Sequence, residues 1–119
     1  MSGEKPNPVI QFIILRFKRA AIATHFGYEE EDQALQRAGI RLAKQAVREL
    51  DAFDARLALV PLLDDSDWGV RVFAARYLLN AVPERALAIL KEIRERCPTR
   101  AHMTAFWILR DYERGELET

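Results

Sequence analysis

The stretch Leu57–Asn80, LALVPLLDDSDWGVRVFAARYLLN, decides how the fold is read. Leu57, Val60 and Leu63 recur at three-residue spacing with Leu59 and Leu62 beside them, a broad apolar face at helical period. Pro61 lies inside that face. A proline there removes a backbone donor and pushes its ring against the preceding turn, so a short or bent helix is expected, stopping by Asp64. Asp64, Asp65, Ser66 and Asp67 supply turn chemistry, and Asp67 is placed to cap the next helix by accepting a bond from an N–H of its first turn. Val70, Ala74 and Leu78 then follow at spacing four, flanked by Phe73 and Tyr77. Two antiparallel helices joined by a tight acidic turn result.

An apolar helix, a turn with two aspartates, then Val-Arg and alternating small and large apolar residues resembles a HEAT-type repeat. The matching positions are Leu62, Leu63, Asp65, Asp67, Val70, Arg71, Ala74, Ala75 and Leu78. The resemblance implies that Asp65 and Arg71 bond across the turn and keep successive helix pairs in register. The order of residues from Pro61 to Leu90 is similar to that of a bacterial domain-of-unknown-function family with HEAT-like helices, which implies a fold and leaves activity open.

Outward from this stretch, the chain carries further helical signals. Asn7 and Pro8 suit a helix start, and Val9–Phe26 keeps an apolar side through Ile13, Phe17 and Ala20. A strand competes over the β-branched residues Val9–Phe17, but the pattern continues without a breaker, and Gly27 is the expected stop. Glu29, Glu30, Glu31 and Asp32 read as the start of a second helix, where negative charge meets exposed N–H groups; a metal or cationic partner is the competing reading. Leu35, Ala38, Leu42 and Ala46, with Ala43, Val47 and Leu50, give that helix its stripe, ending near Asp51; Arg37, Arg41, Lys44 and Arg48 lie opposite and are expected to face water. Pro83 and Glu84 open a fifth helix that Pro98 ends. Thr99 opens a sixth that Gly115 stops. The expectation is an all-α fold, a HEAT-like α-α superhelix of about six helices in three antiparallel pairs, because helix pairs at this period bury their faces by stacking on neighbours. Residues 1–8 read as a flexible tail and 9–119 as a single domain.

Composition bounds the rest. The 119 residues are half hydrophobic and 30% charged, an ordinary globular balance. Eighteen basic and eighteen acidic side chains cancel, which argues against a dedicated phosphate-backbone binder without excluding a local basic groove. The lone Cys97 cannot form an internal disulfide, so a reducing cytoplasm is the simplest expected compartment. The apolar run Val9–Leu15 falls short of the roughly 20 residues needed to span a bilayer.

No catalytic set emerges. His25 and His102 stand far apart, without a second ligand at zinc spacing, and no nucleophile elbow or phosphate loop is present. No metal, cofactor or catalytic residues are therefore expected, and Cys97 reads as a packed core thiol. Trp68, Arg71, Arg76 and Trp107 are the candidate partner-binding residues; Trp107, between Phe106 and Ile108, also reads as core. Asp65, Asp67 and Arg71 are the candidate structural turn. Arg71, Arg76, Lys91, Arg94, Arg96 and Arg100 form a mild basic cluster, interleaved with Glu84, Glu92 and Glu95 as solvated pairs would be. The expected function is a non-enzymatic protein–protein interaction module. The alternatives are an immunity or antitoxin-type inhibitor of a toxin and a nucleic-acid-binding HEAT-like protein. A protein partner is expected, nucleic acid and membrane are not, and a homodimer through an end pair stays open.

Overall fold

In the computed structural model, residues 7–118 are described, and all regular structure among them is helical. Five α-helices, α1 (Pro8–Glu29), α2 (Gln33–Ala52), α3 (Trp68–Leu78), α4 (Pro83–Arg96) and α5 (Ala101–Glu113), are joined by a 3-10 helix, Arg56–Asp64, between α2 and α3. The proline explains the odd member. In an α-helix Pro61 would leave the Leu57 carbonyl unbonded and press its ring against it; the segment winds as a 3-10 helix instead. The segment still turns Leu59, Leu62 and Leu63 into the core and stops at Asp64.

Most helix ends match their sequence signals. Asn7 Oδ1 accepts from Val9 N at 2.8 Å and Pro8 opens α1, so these two residues belong to the helix rather than to a tail. The remainder of that expected tail, residues 1–6, lies outside the described residues. Asp32 caps α2 through Leu35 N at 3.0 Å, and Asp67 caps α3 through Val70 N at 3.1 Å. After α5, Gly115 at φ +70° reverses the chain, and Glu116 N donates to Asp111 O at 2.8 Å, the bonding of a glycine-terminated helix.

Gly27 corrects its expected role. It is not a stop: α1 runs through it to Glu29, and Gly27 is buried. A Cβ there would lie 2.9 Å from Gln36 N, so glycine is present because α2 begins against it. Gly39 repeats the device one step along. Its missing Cβ would sit 2.1 Å from Thr24 Oγ1 and 2.9 Å from Ala20 O. Buried Ala20, Ala21 and Thr24 of α1 meet Gly39, Ala43 and Ala46 of α2 along a seam of small residues. Arg16 pairs with Glu49 at 2.7 Å further down, so the two helices run antiparallel in close contact. The seam also corrects the expected stripe of α2. Leu42 is 48% exposed, because the face that fits against α1 is the one carrying the small side chains.

The core continues from α1 into α3. Phe17, fully buried, meets Tyr77 edge to face with ring centroids 5.9 Å apart, and Gly69 lies against His25. Leu78, Leu90, Ile93 and Leu109 carry it through α4 and α5. Cys97 closes the same core, its thiol 3.0 Å from Thr99 Oγ1. The outer side of α1 is different: Phe12, Leu15, Ile22 and Phe26 remain exposed.

The seam makes a definite forecast. Gly39→Ala forces a methyl into Thr24 and should cost about 1–3 kcal/mol of stability in denaturant titration, the usual penalty for an overfilled core site. Thr24→Ala combined with Gly39→Ala should recover part of that loss, since the clash is chiefly with the threonine hydroxyl.

Candidate functional site

The contacts of α2 run mainly to α1 and more sparsely to the 3-10 helix; it touches α3 and α5 little. The space left between α2 on one side and α3 and α5 on the other is a groove of about 440 Å³. Its floor is apolar. Ile40 and Ala43 come from α2, Phe73 and Tyr77 from α3, and Met103, Trp107 and Ile108 from α5. Burial pushes the Tyr77 phenol above its ordinary range, against a pull downward from Arg76, Arg56 and Arg48. Tyr28, at one end, is raised by burial too.

The rim is cationic. Lys44 and Arg76 edge the apolar part, and both continue, with Arg48 and Arg56, into a side recess of about 170 Å³. Arg37 and Arg41 extend the row along α2 past Ile40 and Lys44. Among the described residues Arg37, Arg41, Lys44, Arg48 and Arg76 form no ion pair within 4.0 Å; Arg19, Lys91 and Arg96 are the others in that state. Arg76 instead lies over the Tyr77 ring at 4.6 Å. Arg56 is neutralised by a two-bond contact with Asp51, at 2.9 and 2.6 Å. The carboxylate in the apolar part, Asp111, is engaged by Arg110 at 3.2 Å.

This arrangement divides the candidate partner-binding residues. Arg76 and Trp107 share the groove, and Trp107 is 46% exposed rather than core, with the Arg110 guanidinium 4.2 Å above its ring. Trp68 and Arg71 lie elsewhere, together. Trp68 is half-buried against the core, and the Arg71 guanidinium stacks 4.9 Å over it. Half of the expected basic cluster of the last helix pair is spent internally. Arg71 pairs with Glu92 at 3.0 Å, Arg94 with Glu95 at 3.6 Å and Arg100 with Glu31 at 3.2 Å. The acidic stretch that ends α1 and leads into α2 therefore serves two helix starts: Asp32 caps α2, and Glu29, the last residue of α1, accepts from Arg100 N at 2.7 Å at the beginning of α5. Arg37, Arg41 and Arg48 are exposed, as their spacing implied, whereas Lys44 is partly buried and edges the groove, because the small-residue face of α2 is taken by α1.

Asp65, Asp67 and Arg71 do hold the turn before α3, but not by the implied Asp65–Arg71 bond. Asp65 accepts from Asp67 N at 2.9 Å and pairs with Lys18 of α1 at 2.9 Å. Arg71 donates to Leu63 O at 3.1 Å and reaches Glu92 of α4. The turn is tied both to itself and to the helices α1 and α4. Burial pushes the Asp65 carboxyl up, but the Asp67 N–H and the Lys18 ammonium outweigh it and hold it below the usual carboxylate range.

Among the described residues, no group of three or more His, Cys, Asp and Glu side chains is placed to hold a metal ion. No helix there is long and apolar enough to cross a membrane. No family model, curated protein or solved structure matches the chain.

The Asp65 environment fixes a pH dependence. Its carboxyl is depressed in the folded state, so the stability it contributes is complete above the ordinary carboxylate value of about 3.9 and fades as pH falls through that value toward the lower folded one. Acid unfolding followed by circular dichroism should show a shallower acid limb in Asp65→Asn than in the native chain.

Proposed function

We propose that the protein is a non-enzymatic interaction module whose groove captures an acidic segment of a partner protein. The observation that carries this reading is the juxtaposition of an apolar floor with Arg37, Arg41, Lys44, Arg48 and Arg76, which form no ion pair within 4.0 Å among the described residues. In a chain with zero formal charge, leaving such a row unpaired beside aromatic surface is a local excess. It attracts a ligand with carboxylates for the rim and an apolar side chain for the floor. A phosphate backbone would use the rim and leave the floor unused.

A HEAT-like α-α superhelix is the architecture we propose for this module. Three pairs support it: α1 with α2, the 3-10 helix with α3, and α4 with α5. Aside from Tyr28 and the residues after α5, the apolar floor comes from the second helix of each pair, as the concave side of such a stack would. Lys18–Asp65 and Arg71–Glu92 link neighbouring pairs. The resemblance of the Asp65–Leu78 region to HEAT repeats agrees with this arrangement.

Trp107 provides the test. A glutamate-rich peptide with one central leucine should change tryptophan fluorescence on titration. Lys44→Glu with Arg48→Glu should weaken binding about tenfold, the combined effect of removing two exposed attractions and adding repulsion. Lys91→Glu with Arg96→Glu, away from the groove, should leave it unchanged. Binding of duplex DNA at low salt with no response to the peptide would replace this reading with nucleic-acid recognition.

A further inference from the structure

The groove is not empty along its whole length. After Gly115 reverses the chain, Leu117 packs against the core and lines the apolar part of the groove, and Glu118 lines the recess that holds Lys44, Arg48, Arg56 and Arg76. The chain thus lays an apolar residue on the floor and, immediately after it, a carboxylate among the cations. The part of the row formed by Arg37 and Arg41 has no residue of this segment in its lining.

We infer that Leu117–Glu118 is a tethered occupant of the binding groove, that it marks the preferred ligand as an apolar residue flanked by acidic ones, and that an external ligand displaces it by reaching Arg37 and Arg41 as well. This inference rests on the proposed capture of acidic protein segments. From the floor the segment's carboxylate enters the recess beside Val47, Arg48 and Asp51 of α2, whereas Arg37 and Arg41 lie toward the start of that helix, so acidic residues on both sides of the apolar one reach both sets of cations. Displacement is the physical consequence of tethering. A short linker presents its segment at an effective concentration on the order of millimolar, so a weak internal contact still competes measurably. A longer acidic run gains two further cations that the internal segment does not use.

The experiment measures anisotropy of a fluorescein-labelled peptide bearing a central leucine with a run of glutamates on each side. Binding should be about tenfold tighter to Leu117→Ser than to the native chain, since the competitor at millimolar effective concentration is lost. Glu118→Lys, which keeps the leucine but is repelled by the rim, should open the groove in the same direction and guards against a folding defect in Leu117→Ser. In either opened chain, Arg37→Glu with Arg41→Glu should weaken the peptide, and replacing the leucine of the peptide by serine should weaken it too. Equal affinity for native and opened chains, still lost with Lys44→Glu, overturns the tethered occupant and leaves the groove reading standing. No binding to native or opened chains overturns both.

Discussion

The approach of α1 to α2 sets the geometry on which the rest depends. Gly27 and Gly39 bring the two backbones together where any side chain would collide, and the alanines beside them keep the seam narrow. At about 100° per residue around a helix, the positions that follow from this seam are constrained. Once Gly39, Ala43 and Ala46 face α1, Ile40 and Lys44 stand roughly a quarter to half a turn away, with Arg37, Arg41 and Arg48 beyond them. The groove and its cationic rim are the other side of that seam.

Charge is distributed according to the same constraint. The chain is neutral, yet its carboxylates are placed where helix ends and inter-helix ties need them. Asp32 and Asp67 cap, Glu29 receives the start of α5, and Glu49, Asp65 and Glu92 each hold a cation from another element. Of the cations left without an ion pair among the described residues, Arg37, Arg41, Lys44, Arg48 and Arg76 lie along α2 and the edge of the apolar floor. A zero net charge therefore says little about the local potential at a binding surface.

The turn before α3 shows how a local signal can be right about position and wrong about partner. Asp65 and Asp67 were legible as turn residues because their chemistry is local, side-chain oxygens beside free N–H groups, while Arg71 was implied by the resemblance to a HEAT-type repeat. Which distant groups complete them was not legible. Lys18 and Glu92 lie far away in sequence, and a salt bridge between elements depends on how those elements pack. The same holds for Trp107. Its neighbours Phe106 and Ile108 made it look like core, but α5 has more apolar residues than its buried face can use, and Met103, Phe106 and Trp107 remain outside.

By itself the sequence determined that the described chain is helical, where most helices begin and end, and that Pro61 disturbs the segment before the acidic turn. Those features are set by backbone sterics, capping and periodicity within a few residues. Tertiary structure alone decided that Gly27 is a packing residue instead of a stop, that Leu42 faces outward, and that Lys44, Arg76 and Trp107 share one groove. Each depends on which face of a helix its neighbour occupies, and periodicity gives the faces of a helix without saying which neighbour will cover them.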